Sequence, residues 1–220
     1  MQPDGTLVDS FTFMNGSGNQ PVQAAQNSLA VMRSTDHGAT WSAPIVGPLL
    51  QPLVATDPDT GANLRTGEII ADVAVDPGNG NLYLVWADAR FSNFNHNDIA
   101  FSQSSDGGLT WSNPIKINQT PTSFLDANRQ AFTPSVAVAA NHTVAVTYYD
   151  FRNNTDTTPG SGLPTDCWLV HADSAFTTAS SWATDEKRLT DSSFNMELAP
   201  VSRGNFLGGQ SLLAVAGIPR

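Results

Sequence analysis

Apolar residues in this chain come in short runs separated by clusters of Gly, Pro, Asn and Asp, and no stretch sustains a helical period. Thr6-Leu7-Val8 leads to Phe11-Thr12-Phe13, then Leu29-Ala30-Val31-Met32 and Pro44-Ile45-Val46. A second group is Val73-Ala74-Val75, Leu82-Tyr83-Leu84-Val85-Trp86, Asp98 to Gln103, and Pro114 to Ile117. A third is Pro134 to Val138, Val144 to Tyr149, Cys167 to Val170, and Arg188-Leu189-Thr190. Each run is of strand length, and turn residues bound it. Asp76-Pro77-Gly78-Asn79-Gly80 and Asn141-His142 read as hairpin turns. Gly47 to Gly67 is rich in Pro, Asp and Gly and reads as a long loop. Leu82, Leu84 and Trp86 alternate with Tyr83 and Val85, so this strand is apolar on both faces. A sheet packed between two others needs that pattern.

The groups recur. Asp72 to Ser135 is 63 positions, and Asp88 to Asp150 is 62. Four strands per unit at this period predict an all-β chain built as a β-propeller of four-stranded antiparallel blades. The expected domain spans residues 1–220 as one partial propeller. Blade 1 covers about 5–50, blade 2 about 69–118 and blade 3 about 133–190, and a next blade starts at about 209–216. About three blades are too few to close a ring. The chain therefore reads as part of a longer protein, because the pattern starts at a second strand. A homodimeric ring is expected only if it is not such a fragment.

Two turns carry a motif. Ser34-Thr35-Asp36-His37-Gly38-Ala39-Thr40-Trp41 and Ser104-Ser105-Asp106-Gly107-Gly108-Leu109-Thr110-Trp111 share Ser-x-Asp-x-Gly-x-Thr-Trp, with 70 positions between Asp36 and Asp106. The aspartate can accept bonds from backbone N–H groups ahead of it, the glycine permits positive φ, and the indole re-enters the sheet as a group to bury. The motif resembles the Asp-box of the bacterial neuraminidase repeat, found in the sialidase superfamily. A third, decayed copy stands at Ala172-Asp173-Ser174, with Trp182 late. The resemblance implies a six-bladed ring, a structural role for Ser34, Asp36, Gly38, Trp41, Ser104, Asp106, Gly108 and Trp111, and action on glycans. It also implies a Tyr paired with a Glu as nucleophile, an Asp as acid/base and three arginines on a substrate carboxylate. The Phe/Tyr-Arg-Ile-Pro motif of many sialidases is absent, and Glu68, Glu186 and Glu197 stand in no recognisable catalytic context.

Asp-box turns belong to the face of tight hairpins, so chemistry is expected on the opposite face, where the long segments lie. Trp86-Ala87-Asp88-Ala89-Arg90 and Tyr148-Tyr149-Asp150-Phe151-Arg152 both end a second strand there. Arg65, Arg129 and Arg203 stand in the blade-to-blade connections, with 64 positions between the first two. One reading makes Asp88, Asp150, Tyr148 and Tyr149 catalytic. Arg65, Arg129, Arg203, Arg90 and Arg152 then hold substrate, since arginine grips a carboxylate as a fork and paired carboxylates drive glycoside hydrolysis. The other makes Asp88–Arg90 and Asp150–Arg152 ion pairs that tie neighbouring blades. Repetition in each complete blade favours the second, because a catalytic residue normally occurs once.

Composition narrows the partners. The 220 residues carry 20 acidic and 10 basic groups, a net charge of −10, which disfavours nucleic acid and anionic membranes as partners. No run reaches membrane-span length, and the start lacks the basic and apolar regions of a signal peptide. Cys167 is the only cysteine, so no disulfide forms within the chain. The four histidines show no zinc spacing. Asp57 to Glu68 resembles a calcium loop but has Ala62 where glycine is required, and it reads as a plain acidic loop. No metal or cofactor is expected. The resulting expectation is an extracellular or cell-surface sialidase-like glycoside hydrolase, exo-acting on glycans, or a fragment of one. The alternative is a non-catalytic Asp-box propeller that binds carbohydrate or protein, or a structural segment of a larger secreted protein.

Overall fold

The structure, a computed structural model, describes residues 1–15, 26–156, 158–173, 179–182, 186–201 and 204–207. They form antiparallel sheets and short 3-10 turns; there is no α-helix among them. Sheet 1 is β1 (Leu7–Asn15), β2 (Gln26–Ser34) and β3 (Ile45–Leu49). Sheet 2 is β4 (Asp72–Val75), β5 (Leu82–Asp88), β6 (Asp98–Ser104) and β7 (Ile115–Lys116), paired in chain order. Sheet 3 repeats that order with β8 (Phe132–Val138), β9 (Val144–Asp150), β10 (Pro164–Ala172) and β11 (Lys187–Arg188). A short β12 (Phe194–Asn195) pairs with the start of β10. The expected next strand, Ser211 to Val215, lies outside the described residues.

The sheets pack face to face, and the two-faced β5 shows why. Leu84 and Trp86 join Leu29, Val31, Leu50 and Ala100 against sheet 1. Tyr83 and Val85 join Ile99, Phe101, Val136, Val146 and Tyr148 against sheet 3. Every residue of β5 is buried. The tryptophans that follow the next-to-last strand of each sheet obey one rule. Trp111 lies against sheet 1, where a Cβ added at Gly47 would stand 3.0 Å from its ring. Trp182 lies against sheet 2, its ring 4.9 Å from that of Phe101, and is fully buried. Trp41 departs from the expectation that both motif indoles are buried: it is 42% exposed. The rule turns it away from sheet 2, and no described sheet lies on that side. Trp111 itself is only half-buried.

The two motif turns repeat the same four hydrogen bonds. Ser34 Oγ donates to Asp36 Oδ1 at 2.8 Å, and Thr40 donates from its N–H at 2.9 Å and its Oγ1 at 2.6 Å. In the second copy the values are 2.7, 2.9 and 2.6 Å for Ser104, Thr110 N–H and Thr110 Oγ1 onto Asp106. Gly38 and Gly108 take φ of +91° and +89°, and each donates its N–H to the motif serine at 2.8 Å. A Cβ on Gly108 would also stand 2.8 Å from Val31 of sheet 1.

These bonds set an acid limit on stability. Burial raises the Asp106 pKa, but the Thr110 and Ser104 bonds outweigh it and bring the group from 3.8 to about 2. A carboxylate whose pKa is depressed in the fold stabilises fully above its unfolded value and loses that contribution as pH falls through the folded value. The urea midpoint should therefore drop between pH 3.8 and about 2. Asp106→Asn should flatten that drop. An unchanged acid limb in the variant would show that the turn carries no linked stability.

On the same face Asp76, fully buried, meets His142 Nδ1 of the next sheet's hairpin at 2.7 Å. Gln2 donates to Gly80 O at 2.9 Å, and its side chain also lies within 3.0 Å of a Cβ position on Gly107. The hairpin turns and the motif turns thus share one face, called the back. The second strands end on the front.

Candidate functional site

The front begins where β5 and β9 end. Asp88 is fully buried and accepts from Trp86 Nε1 at 2.6 Å, Arg90 Nε at 2.8 Å, Arg90 Nη2 at 2.8 Å and Gln51 N–H at 3.1 Å. Arg90 also donates to the Leu49 carbonyl. Leu49 ends β3 and Gln51 follows it, so this Asp-x-Arg pair grips the edge of sheet 1. Asp150 and Arg152 do the same to sheet 2. Asp150 accepts from Arg152 Nε at 2.7 Å and Thr120 Oγ1 at 3.0 Å. Arg152 Nη2 donates to Thr120 Oγ1 at 2.9 Å and Tyr148 Oη at 2.7 Å, and Arg152 Cζ lies 3.6 Å from the Trp168 ring centre. Glu186 accepts from Arg152 Nη1, the Tyr148 hydroxyl and, at 3.0 Å, the Gln119 N–H. Both motifs thus grip the end of the preceding sheet's last strand or the segment just after it.

Electrostatics follow from this burial. Burial lowers the Arg152 pKa, but Asp150 and Glu186 outweigh it and hold the guanidinium charged. Burial first, then Glu186, pushes the Tyr148 hydroxyl well above its ordinary range. Its phenolate is therefore strongly disfavoured. Tyr149 faces Phe132 and Phe194 and is also shifted up by burial.

Sequence reasoning missed a second tier. Asp98 pairs in register with Asp88, and Asp166 with Asp150. Lys116 Nζ lies 2.7 Å from Asp98, and Arg188 Nε and Nη2 donate to Asp166 at 2.8 and 2.6 Å. Asn118 and Thr190, each two positions after the base, bond the same carboxylates at 3.0 and 2.6 Å. The signal, in sheets 2 and 3, was an aspartate at or near the start of the third strand and a base-x-polar pattern running out of the fourth. Buried His96 was also missed; it lies 3.7 Å from Asp98 Oδ2 and 3.4 Å from Asp126 Oδ1.

Above these clamps the front loops form a platform. Asn97 both accepts from Leu53 N–H and donates to Leu53 O at 2.8 Å. Gln130 donates to Thr56 at 3.3 Å, and Thr133 donates to Thr66 O at 3.0 Å. Thr133 holds φ at +48°, a strained value for a β-branched residue, at the bulge that opens β8. Ala55 and Leu64 of the long loop pack on Phe132, Phe151, Leu163 and Met196. Arg65 is exposed, its guanidinium 4.8 Å over the Phe206 ring. Arg129 is half-buried and donates to Asp126 at 2.9 Å. The Thr133–Thr66 and Gln130–Thr56 bonds join the segments that carry these two arginines. Arg203 lies outside the described residues. Among the described residues no group of three His, Cys, Asp or Glu side chains is placed to hold a metal, and no helix is long and apolar enough to cross a membrane.

Comparison with known proteins places the architecture in a class. No protein-family model and no curated protein sequence matches the chain. Among solved structures it is similar to the GH93 alpha-L-arabinofuranosidase of Fusarium graminearum in complex with arabinobiose. The identity is 15% over 87% of this chain and 48% of that one, with a TM-score of 0.52. It is also similar to the Penicillium chrysogenum alpha-L-arabinanase complexed with arabinobiose, at 17% identity over 84% and 45%, TM-score 0.48. A leech intramolecular trans-sialidase gives 19% identity over 66% and 18%, TM-score 0.35. The chain thus spans just under half the length of the two arabinobiose-bound structures. The Fusarium likeness is one of fold: an all-β chain of stacked antiparallel sheets, as in β-propeller enzymes.

Proposed function

We propose that this chain is a glycan-recognising segment of a propeller, and that its front platform holds an acidic sugar through Arg65 and Arg129. One observation carries the reading. Asp88, Arg90, Asp150, Arg152 and Tyr148 are engaged in contacts between sheets, whereas Arg65 and Arg129 stand on the platform, one over the Phe206 ring and the other beside Asp126. An arginine fork recognises a carboxylate, and a ring beside it offers a face to a sugar. The fold shared with an arabinobiose-bound enzyme supports a carbohydrate partner. An extracellular or cell-surface setting accords with that partner.

Calorimetry with uronate- and sialate-containing oligosaccharides tests this. Binding should weaken about tenfold or more in Arg129→Ala, the loss of a charge-assisted bond. The melting temperature should stay within about 2 °C. Absence of binding to any acidic glycan would remove the proposal.

A second reading, a sialidase-like hydrolase, is favoured by the contact of Tyr148 with Glu186 under Arg152. It needs the sheet 2–sheet 3 seam to open, because Tyr148 is fully buried. Turnover of an aryl sialoside that vanishes in Tyr148→Phe would establish it. Absence of turnover on that substrate and on other aryl glycosides would end it.

A further inference from the structure

Three front loops meet at two buried amides. Asn128 is 4% exposed and Asn154 is 3% exposed. Asn128 Nδ2 donates to the Asn154 carbonyl at 2.7 Å, and Asn154 Nδ2 donates to Asp59 Oδ1 at 2.9 Å. Those acceptors fix which end of each amide is nitrogen. Both Oδ1 atoms are then buried with no hydrogen-bond donor among the described residues. A buried carbonyl oxygen without a partner costs roughly 1–3 kcal/mol, so two on residues joined by a hydrogen bond call for a shared partner. The third member, Asp59, is half-buried and brings a negative charge. Arg129, next to Asn128, is paired with Asp126 at 2.9 Å.

We propose that Asp59, Asn128 and Asn154 hold a calcium ion that cross-links the loops around residues 56–60, 126–129 and 151–156. Carboxylate and amide oxygens are hard ligands, and calcium accepts an irregular set of them with water in the remaining places. Asp57, the first residue of the apparent loop motif in the sequence, takes no part. Its carboxylate accepts from Asp59 N–H at 2.8 Å and Thr60 Oγ1 at 2.6 Å. One carboxylate and two amides make a weak site, of about 10⁻⁴–10⁻³ M.

Thermal melting of the full chain in about 10 mM calcium chloride should exceed that in sodium chloride of equal ionic strength by about 3–10 °C. Asp59→Asn keeps an oxygen for Asn154 but removes the charge. Its melting temperature without calcium should match the parent's, and the calcium increment should disappear. An equal increment in magnesium chloride, an undiminished increment in Asp59→Asn, or no increment in the parent protein would each overturn the site.

Discussion

Asp150→Ala is expected to lower the unfolding free energy by about 3–5 kcal/mol, the cost of removing one partner from a buried ion pair. Arg152 is almost fully buried and already holds its charge against desolvation with the help of two carboxylates. Without Asp150, the guanidinium and Thr120 Oγ1 lose an acceptor inside the seam between sheets 2 and 3. Denaturant unfolding measures the loss. The double variant Asp150→Ala with Arg152→Ala should cost less than the sum of the two singles, because the stranded charge is gone. The equivalent Asp88→Ala should cost less, since Arg90 keeps part of its side chain in water. A near-neutral Asp150→Ala would mean that the aspartate is held for chemistry rather than for the seam.

The same pair shows how far the sequence could be read. Spacing revealed Asp88–Arg90 and Asp150–Arg152 as a repeat, and repetition favoured a tie between blades. The partners of that tie were hidden. Thr120 and Glu186 meet Arg152 from 32 and 34 positions away, Gln119 joins through Glu186, and nothing local marks them. Leu49 and Gln51 are gripped through their backbone, which leaves no trace in residue type. Strands were legible because alternation is a local property of the backbone. The two motif turns were legible because all their bonds fall within a span of four positions. Trp41 was misjudged for the opposite reason: what covers an indole is another sheet. Arg65 and Arg129 were found by their spacing, but the Phe206 ring under one and the Asp126 carboxylate beside the other belong to tertiary structure.

The central claim is that sheets stack face to face, Trp111 and Trp182 each resting on the sheet before its own. Equilibrium unfolding of two single variants tests it most directly. Trp182→Ala removes a fully buried ring from Phe101 and should cost about 3–5 kcal/mol. Trp41→Ala removes a ring with no described sheet beneath it and should stay within about 0.5 kcal/mol of the parent. A loss at Trp41 as large as the loss at Trp182 would contradict the stack.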